Sequence, residues 1–132
     1  MEFNSFLKTY YEKNVSLGFP CISPETGEFL SFLVSLTKAQ RILEIGTCVG
    51  YSTLWLAKEG KEIITLEMEK EKVEQAQQVF KQFNLPITVL VGDAKETLTK
   101  LSGTFDFIFI DAMKKEYITY IQLLENHLDK QT

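Results

Sequence analysis

From Met1 to Leu17 apolar residues recur at intervals of three and four, at Phe3, Phe6, Leu7, Tyr10, Tyr11 and Val15. That spacing predicts an amphipathic helix, and Gly18 with Phe19-Pro20 supplies its stop. A second helix opens at Ser23-Pro24-Glu25. The Ser23 hydroxyl suits the N-cap, and the fixed φ of Pro24 suits the first helical position. Glu25 favours the positive end of the helix dipole. The helix runs on through Phe29, Leu30, Leu33, Val34 and Leu36. Gly27 inside it costs roughly 1 kcal/mol against alanine, which calls for close packing or a nearby ligand.

Thereafter short apolar runs alternate with helical patterns. Arg41–Ile45, Glu62–Leu66, Ile87–Val91 and Phe105–Ile110 read as strands. Tyr51–Lys58, with Gly60 near its end, Glu69–Phe83, Ala94–Lys100 and Lys114–Leu128 read as helices. The second of these four helices places Val73, Ala76, Phe80 and Phe83 on one face; the last places Tyr117, Ile118, Ile121, Leu124 and Leu128 inward. Strands that alternate with helices imply a parallel sheet with right-handed crossovers, covered on both faces.

Composition changes this picture little. In 132 residues, 45% hydrophobic and 24% charged positions describe an ordinary globular chain rather than a disordered one. The formal charge of -4 gives no support to nucleic-acid binding. Cys21 and Cys48 belong to no CxxC or Cys/His array, so neither a disulfide framework nor a structural zinc site is expected. Asn14-Val15-Ser16 matches a glycosylation acceptor, but no basic-then-apolar leader is evident at the N-terminus. The most apolar stretch, Phe105–Ile110, is too short for a bilayer. A cytoplasmic protein with no membrane partner is the expectation, and His127, the sole histidine, is expected in a solvated or C-terminal-turn role.

The chemistry gathers at strand ends. Arg41-Ile42-Leu43-Glu44-Ile45-Gly46-Thr47-Cys48-Val49-Gly50-Tyr51-Ser52 is a strand, a two-glycine turn and a helix start. Such a turn lets a ligand approach bare backbone. Its GxxxG spacing is neither a dinucleotide fingerprint nor a Walker A loop. Glu44 is placed either to meet a cation or to structure the turn. Glu67 ends the second strand, about 20 residues after Gly46, where an acid can accept both hydroxyls of a ribose. Asp93, in Gly92-Asp93-Ala94, suits a helix cap or an adenine contact. Asp111, in Phe105-Asp106-Phe107-Ile108-Phe109-Ile110-Asp111-Ala112-Met113-Lys114, ends the fourth strand as a metal ligand or general base. Lys114 either reaches the same pocket or is a surface lysine.

Together with Ser23-Pro24-Glu25-Thr26-Gly27, these stretches resemble the metal-dependent class I S-adenosylmethionine-dependent O-methyltransferases, the group of catechol and caffeoyl-CoA O-methyltransferases. The resemblance implies a Rossmann-like α/β/α fold with strand order 3-2-1-4. It implies that the whole chain, residues 1–132, is one incomplete cofactor-binding domain, with 1–22 a lid and dimer helix and 23–132 the αβ core. It assigns Glu44, Gly46, Thr47, Cys48 and Gly50 to the wall around the methionine part of the cofactor, and Ser52 to its carboxylate. Glu67 and Met68 fall to the ribose end, Asp93 and Ala94 to adenine. Asp111 becomes a cofactor contact and the first ligand of a Mg²⁺ or similar ion, and Lys114 the base that takes the substrate proton. The implied partners are a small hydroxylated, catechol-like acceptor and a second copy of the chain; relatives that methylate a tRNA hydroxyuridine leave that substrate open. The family continues past the segment ending here, with a fifth strand whose Asp-Asn pair completes the metal site and a closing hairpin. The expectations are therefore an incomplete metal site, a fourth strand left at the edge, and a chain that binds the cofactor with little methyl transfer alone. A cofactor-binding or dimerising remnant is the competing expectation.

Overall fold

All strand pairings in the computed structural model are parallel, and the sheet runs β3-β2-β1-β4. The structure describes residues 2–59 and 61–132; Met1 and Gly60, expected to begin the first helix and to end the third, lie outside the described residues. The order is α1 (Phe3–Ser16), α2 (Pro24–Thr37), β1 (Arg41–Ile45), α3 (Tyr51–Leu56), β2 (Glu62–Glu67), α4 (Lys70–Gln82), β3 (Ile87–Val91), α5 (Ala94–Lys100), β4 (Phe107–Ile110) and α6 (Tyr117–Leu124). Single 3₁₀ turns, Lys114–Glu116 and Glu125–His127, flank α6. This is the expected Rossmann-like α/β/α arrangement, with the expected strand order.

Side chains of one strand alternate between the two faces of a sheet. Ile42 and Ile63 accordingly pack under α2 and α3, with Leu30, Val34 and Leu56. Leu43, Ile45 and Leu66 face α5 and α6, with Leu98, Phe105, Tyr120 and Leu124. α1 lies outside α3 and α4, where Leu7 and Tyr10 join Leu54, Ala76 and Phe80. The α2 start forms as the sequence indicates: the Thr26 N–H donates to Ser23 Oγ at 3.1 Å, with Pro24 in the first turn. Gly27 lies against the Trp55 indole, where a Cβ would come within 2.3 Å, so close packing explains it.

Two expectations are corrected. The fourth strand starts at Phe107, not Phe105. Asp106 instead accepts the backbone N–H groups of Gln40 (2.8 Å) and Arg41 (2.9 Å). Phe105 is fully buried, with its N–H donated to the His127 carbonyl and the Arg41 guanidinium over its ring. The segment 114–128 is not one helix, and its inward face is rotated. Tyr120, Leu124 and His127 are buried, whereas Ile118, Ile121 and Leu128 are 73%, 54% and 43% exposed. His127 belongs to this buried face. Its two ring nitrogens meet the carbonyls of Gly103 (2.8 Å) and Leu98 (3.1 Å). The residue thus sits in the C-terminal turn as expected but is buried rather than solvated, on the side of the Tyr120–Leu124 stripe that faces α5.

Candidate functional site

A parallel sheet brings the carboxyl ends of its strands to one rim, and ligands of open α/β sheets bind outside that rim. Here the rim borders a cavity of about 510 Å³. The turn after β1, the end of β2, the turn after β3 and the segment after β4 all contribute walls, and Pro20–Ile22 between α1 and α2 closes one side.

The turn after β1 is held by its own backbone and by Glu67. Gly46 and Thr47 both donate their N–H to the Leu66 carbonyl, at 2.9 and 3.1 Å. Gly46 has φ +107°, and a Cβ there would lie 1.9 Å from the Asp111 carbonyl oxygen. Only glycine fits that approach of the β1 and β4 ends. Cys48 has φ +50°, a left-handed conformation unusual for a side-chain-bearing residue. The Cys48 N–H donates to Glu67 Oε1 at 2.8 Å, and the Glu69 N–H donates to Oε2 at 3.0 Å. Each carboxylate oxygen of Glu67 has acceptor capacity left on the cavity side.

Glu44 lies beneath this surface. It is fully buried and accepts hydroxyl donors from Ser52, Thr53 and Thr65, the last at 2.7 Å. Thr47 and Thr65 share a further hydroxyl bond of 2.6 Å. Burial pushes the Glu44 carboxyl up to about 7; the three hydroxyl bonds pull it down in part, and the charge of Asp111 adds to the rise. Of the two openings for Glu44, the structure favours organising the turn, through side-chain hydroxyls.

The cavity is lined by Gly46, Thr47, Cys48, Ser52, Glu67, Met68, Ala94 and Asp111, all positions expected to touch the cofactor. Glu44 and Gly50 are buried and Asp93 is half-buried; none of the three is among the lining residues. Asp93 caps α5, accepting the Lys95 N–H at 3.0 Å. Lys95 also pairs with Glu116 at 3.1 Å, and Glu116 accepts the Tyr120 hydroxyl at 2.6 Å. Burial first, and then the Glu116 carboxylate, raise the Tyr120 hydroxyl above its ordinary range. Lys114 is exposed in the turn after β4 and is not among the lining residues. Burial pushes the Cys21 thiol up to about 11 and raises that of Cys48, so both wall thiols stay protonated rather than nucleophilic.

A hard divalent ion takes about six oxygen ligands. Asp111 is exposed, and among the described residues no group of three or more His, Cys, Asp or Glu gathers to hold a metal. The residues present do not fit such an ion.

Several site residues escaped the sequence. Tyr120, Lys72 and Cys21 reach the cavity from other segments, and Met113 follows Asp111 within the β4 segment itself. Thr53 and Thr65 complete the cage around Glu44. Thr65 did leave a signal, a hydroxyl inside the apolar run Ile63-Ile64-Thr65-Leu66.

A family model described as O-methyltransferase matches residues 5–130. The chain is 39% identical over 108 residues to a catechol O-methyltransferase of Mycobacterium tuberculosis, covering 76% of this chain and 49% of that protein. It is 40% identical over 117 residues to a catechol O-methyltransferase of Niastella koreensis, covering 80% of this chain and 52% of that one. The chain thus spans about half the length of these relatives. Among solved structures, an O-methyltransferase of Bacillus cereus in complex with SAH superposes with a TM-score of 0.86 at 34% identity, over 95% of this chain and 62% of that one. An O-methyltransferase of Streptomyces achromogenes in complex with SAM gives 0.84 at 28% identity, over 93% and 60%. With the β3-β2-β1-β4 core, the glycine turn and the Glu67 rim already in place, the chain belongs to the class I S-adenosylmethionine-dependent O-methyltransferase family and is partial relative to its full-length members.

Proposed function

We propose that this chain is the cofactor-binding part of an enzyme that moves a methyl group from S-adenosylmethionine to a hydroxyl of a small, catechol-like acceptor. The observation that carries the reading is the rim itself: the Gly46–Gly50 turn, Glu67 and Asp111 border one cavity of about 510 Å³. Glu67, fixed by two backbone N–H groups, takes the ribose hydroxyls with its remaining acceptor capacity. Gly46, Thr47 and Cys48 present backbone to the methionine part. Ser52 lies in the wall at the carboxylate end, with its hydroxyl proton given to Glu44. Ala94 and the capped Asp93 flank the adenine. The sulfonium of the cofactor supplies the electrophilic methyl group. The chain supplies position: it holds the ligand along the rim and keeps water from its buried side, and positioning is the larger part of such catalysis.

Asp111 is the rim carboxylate nearest the transfer end in this reading, and Lys114, one turn further on, is the proposed proton acceptor. The lack of any group of three or more metal-ligating side chains among the described residues, and the exposure of Lys114 away from the lining residues, favour a second reading for the isolated chain: binding without turnover.

Calorimetric titration with S-adenosylhomocysteine tests the binding. We expect saturable binding, weakened tenfold or more (about 1.4 kcal/mol) in Glu67→Ala. No heat at millimolar ligand would remove the proposal. Labelled S-adenosylmethionine offered with a catechol, with Mg²⁺ or with EDTA, then separates a transferase from a binding-only chain.

A further inference from the structure

The sequence makes Tyr10 a packing residue of the first helix, yet its hydroxyl reaches the cofactor turn. Tyr10 Oη donates to the Val49 carbonyl at 2.7 Å. Gln75 Nε2 on α4 donates both to Tyr10 Oη (3.2 Å) and to Asn14 Oδ1 (3.0 Å). Asn14 Nδ2 closes the set on the Tyr10 carbonyl at 2.8 Å. Asn14 is fully buried, as is Val49, and Tyr10 is nearly so. A buried asparagine and tyrosine on one helix face, each with its polar atoms engaged, are not accounted for by apolar packing.

The bond lands where the turn most needs support. Val49 follows Cys48, at φ +50°, and precedes Gly50, at φ +92°. Val49 is thus flanked by two left-handed residues, and the one that carries a side chain, Cys48, persists there only where the surroundings over-determine it. Glu67 holds Cys48 from the cavity side; Tyr10 holds the next residue from behind. Removing the hydroxyl would leave the Val49 carbonyl buried without that partner.

We propose that Tyr10, kept in place by Asn14 and Gln75, is a positioning residue for the cofactor turn, so that the N-terminal helix sets the affinity of the cavity for its nucleoside ligand. The ligand named here rests on the reading of the preceding subsection; the clamp itself does not.

Tyr10→Phe is the test, because it deletes the hydroxyl and keeps the ring stacked on Phe6 at 5.2 Å. S-adenosylhomocysteine should bind about threefold to tenfold more weakly, the worth of one buried hydrogen bond. Amide exchange should accelerate at residues 48–52 and stay unchanged in β2 and α5. Phe3→Leu is the comparison variant. It trims the contact of α1 with Phe83 and leaves both the hydroxyl network and the stacking partner of Tyr10, so melting should fall while affinity holds. Wild-type affinity with unchanged turn exchange in Tyr10→Phe overturns the proposal, and so does a uniform rise in exchange along the chain. Should neither protein bind the ligand, accelerated exchange at residues 48–52 alone would uphold the clamp and the cofactor reading would fall without it.

Discussion

The two halves of the sheet are finished differently. Around β1 and β2 polar side chains form a bonded network: Glu44 has three hydroxyls, Glu67 two backbone N–H groups, Tyr10 a carbonyl and an amide. Around β4 apolar surface is left open. Its outer edge has no strand partner among the described residues, and its four residues are all partly exposed. On the helices covering that end, Phe29, Phe32 and Leu36 of α2 and Ile118 and Ile121 of α6 face outward, each more than half exposed. Bonded polar side chains characterise the first end, and uncovered apolar surface on α2 and α6 the second. The seam between them is Gly46, where the β1 turn meets the Asp111 carbonyl. Gly46→Ala is the harshest test: a Cβ 1.9 Å from that oxygen, at φ +107°, must push the strand ends apart. We expect a loss of about 3 kcal/mol or more in urea unfolding, together with loss of ligand binding. A variant that folds and binds normally would show that the two halves are not joined there.

The buried end also carries a pH signature. The Glu44 carboxyl, at about 7 in the fold, sits above its ordinary value of 4.5. A group whose folded value is raised favours the fold while protonated. Its contribution is complete below about pH 4.5 and is lost as pH rises through about 7. Asp111 is the charge that opposes ionisation; the other groups facing Glu44 are the hydroxyls of Ser52, Thr53 and Thr65. Relative to Glu44→Gln, which keeps the shape but cannot ionise, the wild type should lose about 2–3 kcal/mol between pH 4.5 and pH 8. Parallel stability curves for the two proteins would mean that Glu44 does not titrate within that window.

Much of this was legible from residues alone, for a physical reason. Strand periodicity, the Ser23-Pro24 cap and the glycine turn are local, and local chemistry fixes them whatever the rest of the chain does. Glu67, Asp93 and Asp111 were legible because a parallel sheet must bring its strand ends to one rim. The failures share the opposite property. The inward face of α6 was misread because apolar spacing admits two stripes, and the buried one continues into His127, bonded to the carbonyls of Leu98 and Gly103, remote in sequence. Asn14 reads as part of a glycosylation acceptor on a helix surface until Gln75, on another element, explains its burial. The late start of β4 follows from Asp106 turning to the N–H groups of Gln40 and Arg41.

The smallest expected effect sharpens the comparison from the uncovered side. Ile118 and Ile121 are 73% and 54% exposed, while Leu124, one turn along the same helix, is 3% exposed. If the outward face of α6 adds nothing to the fold of this chain, the double change Ile118→Ser and Ile121→Ser should shift urea unfolding by no more than about 0.5 kcal/mol. Leu124→Ala, which empties part of the core under α5, should cost about 2–4 kcal/mol. The serine pair should also reduce self-association in sedimentation experiments, since an exposed apolar face beside an open strand edge promotes pairing with other chains. A loss near that of Leu124→Ala would mean that Ile118 and Ile121 are covered in solution, and β4 with its helices would then belong to the buried half of the comparison.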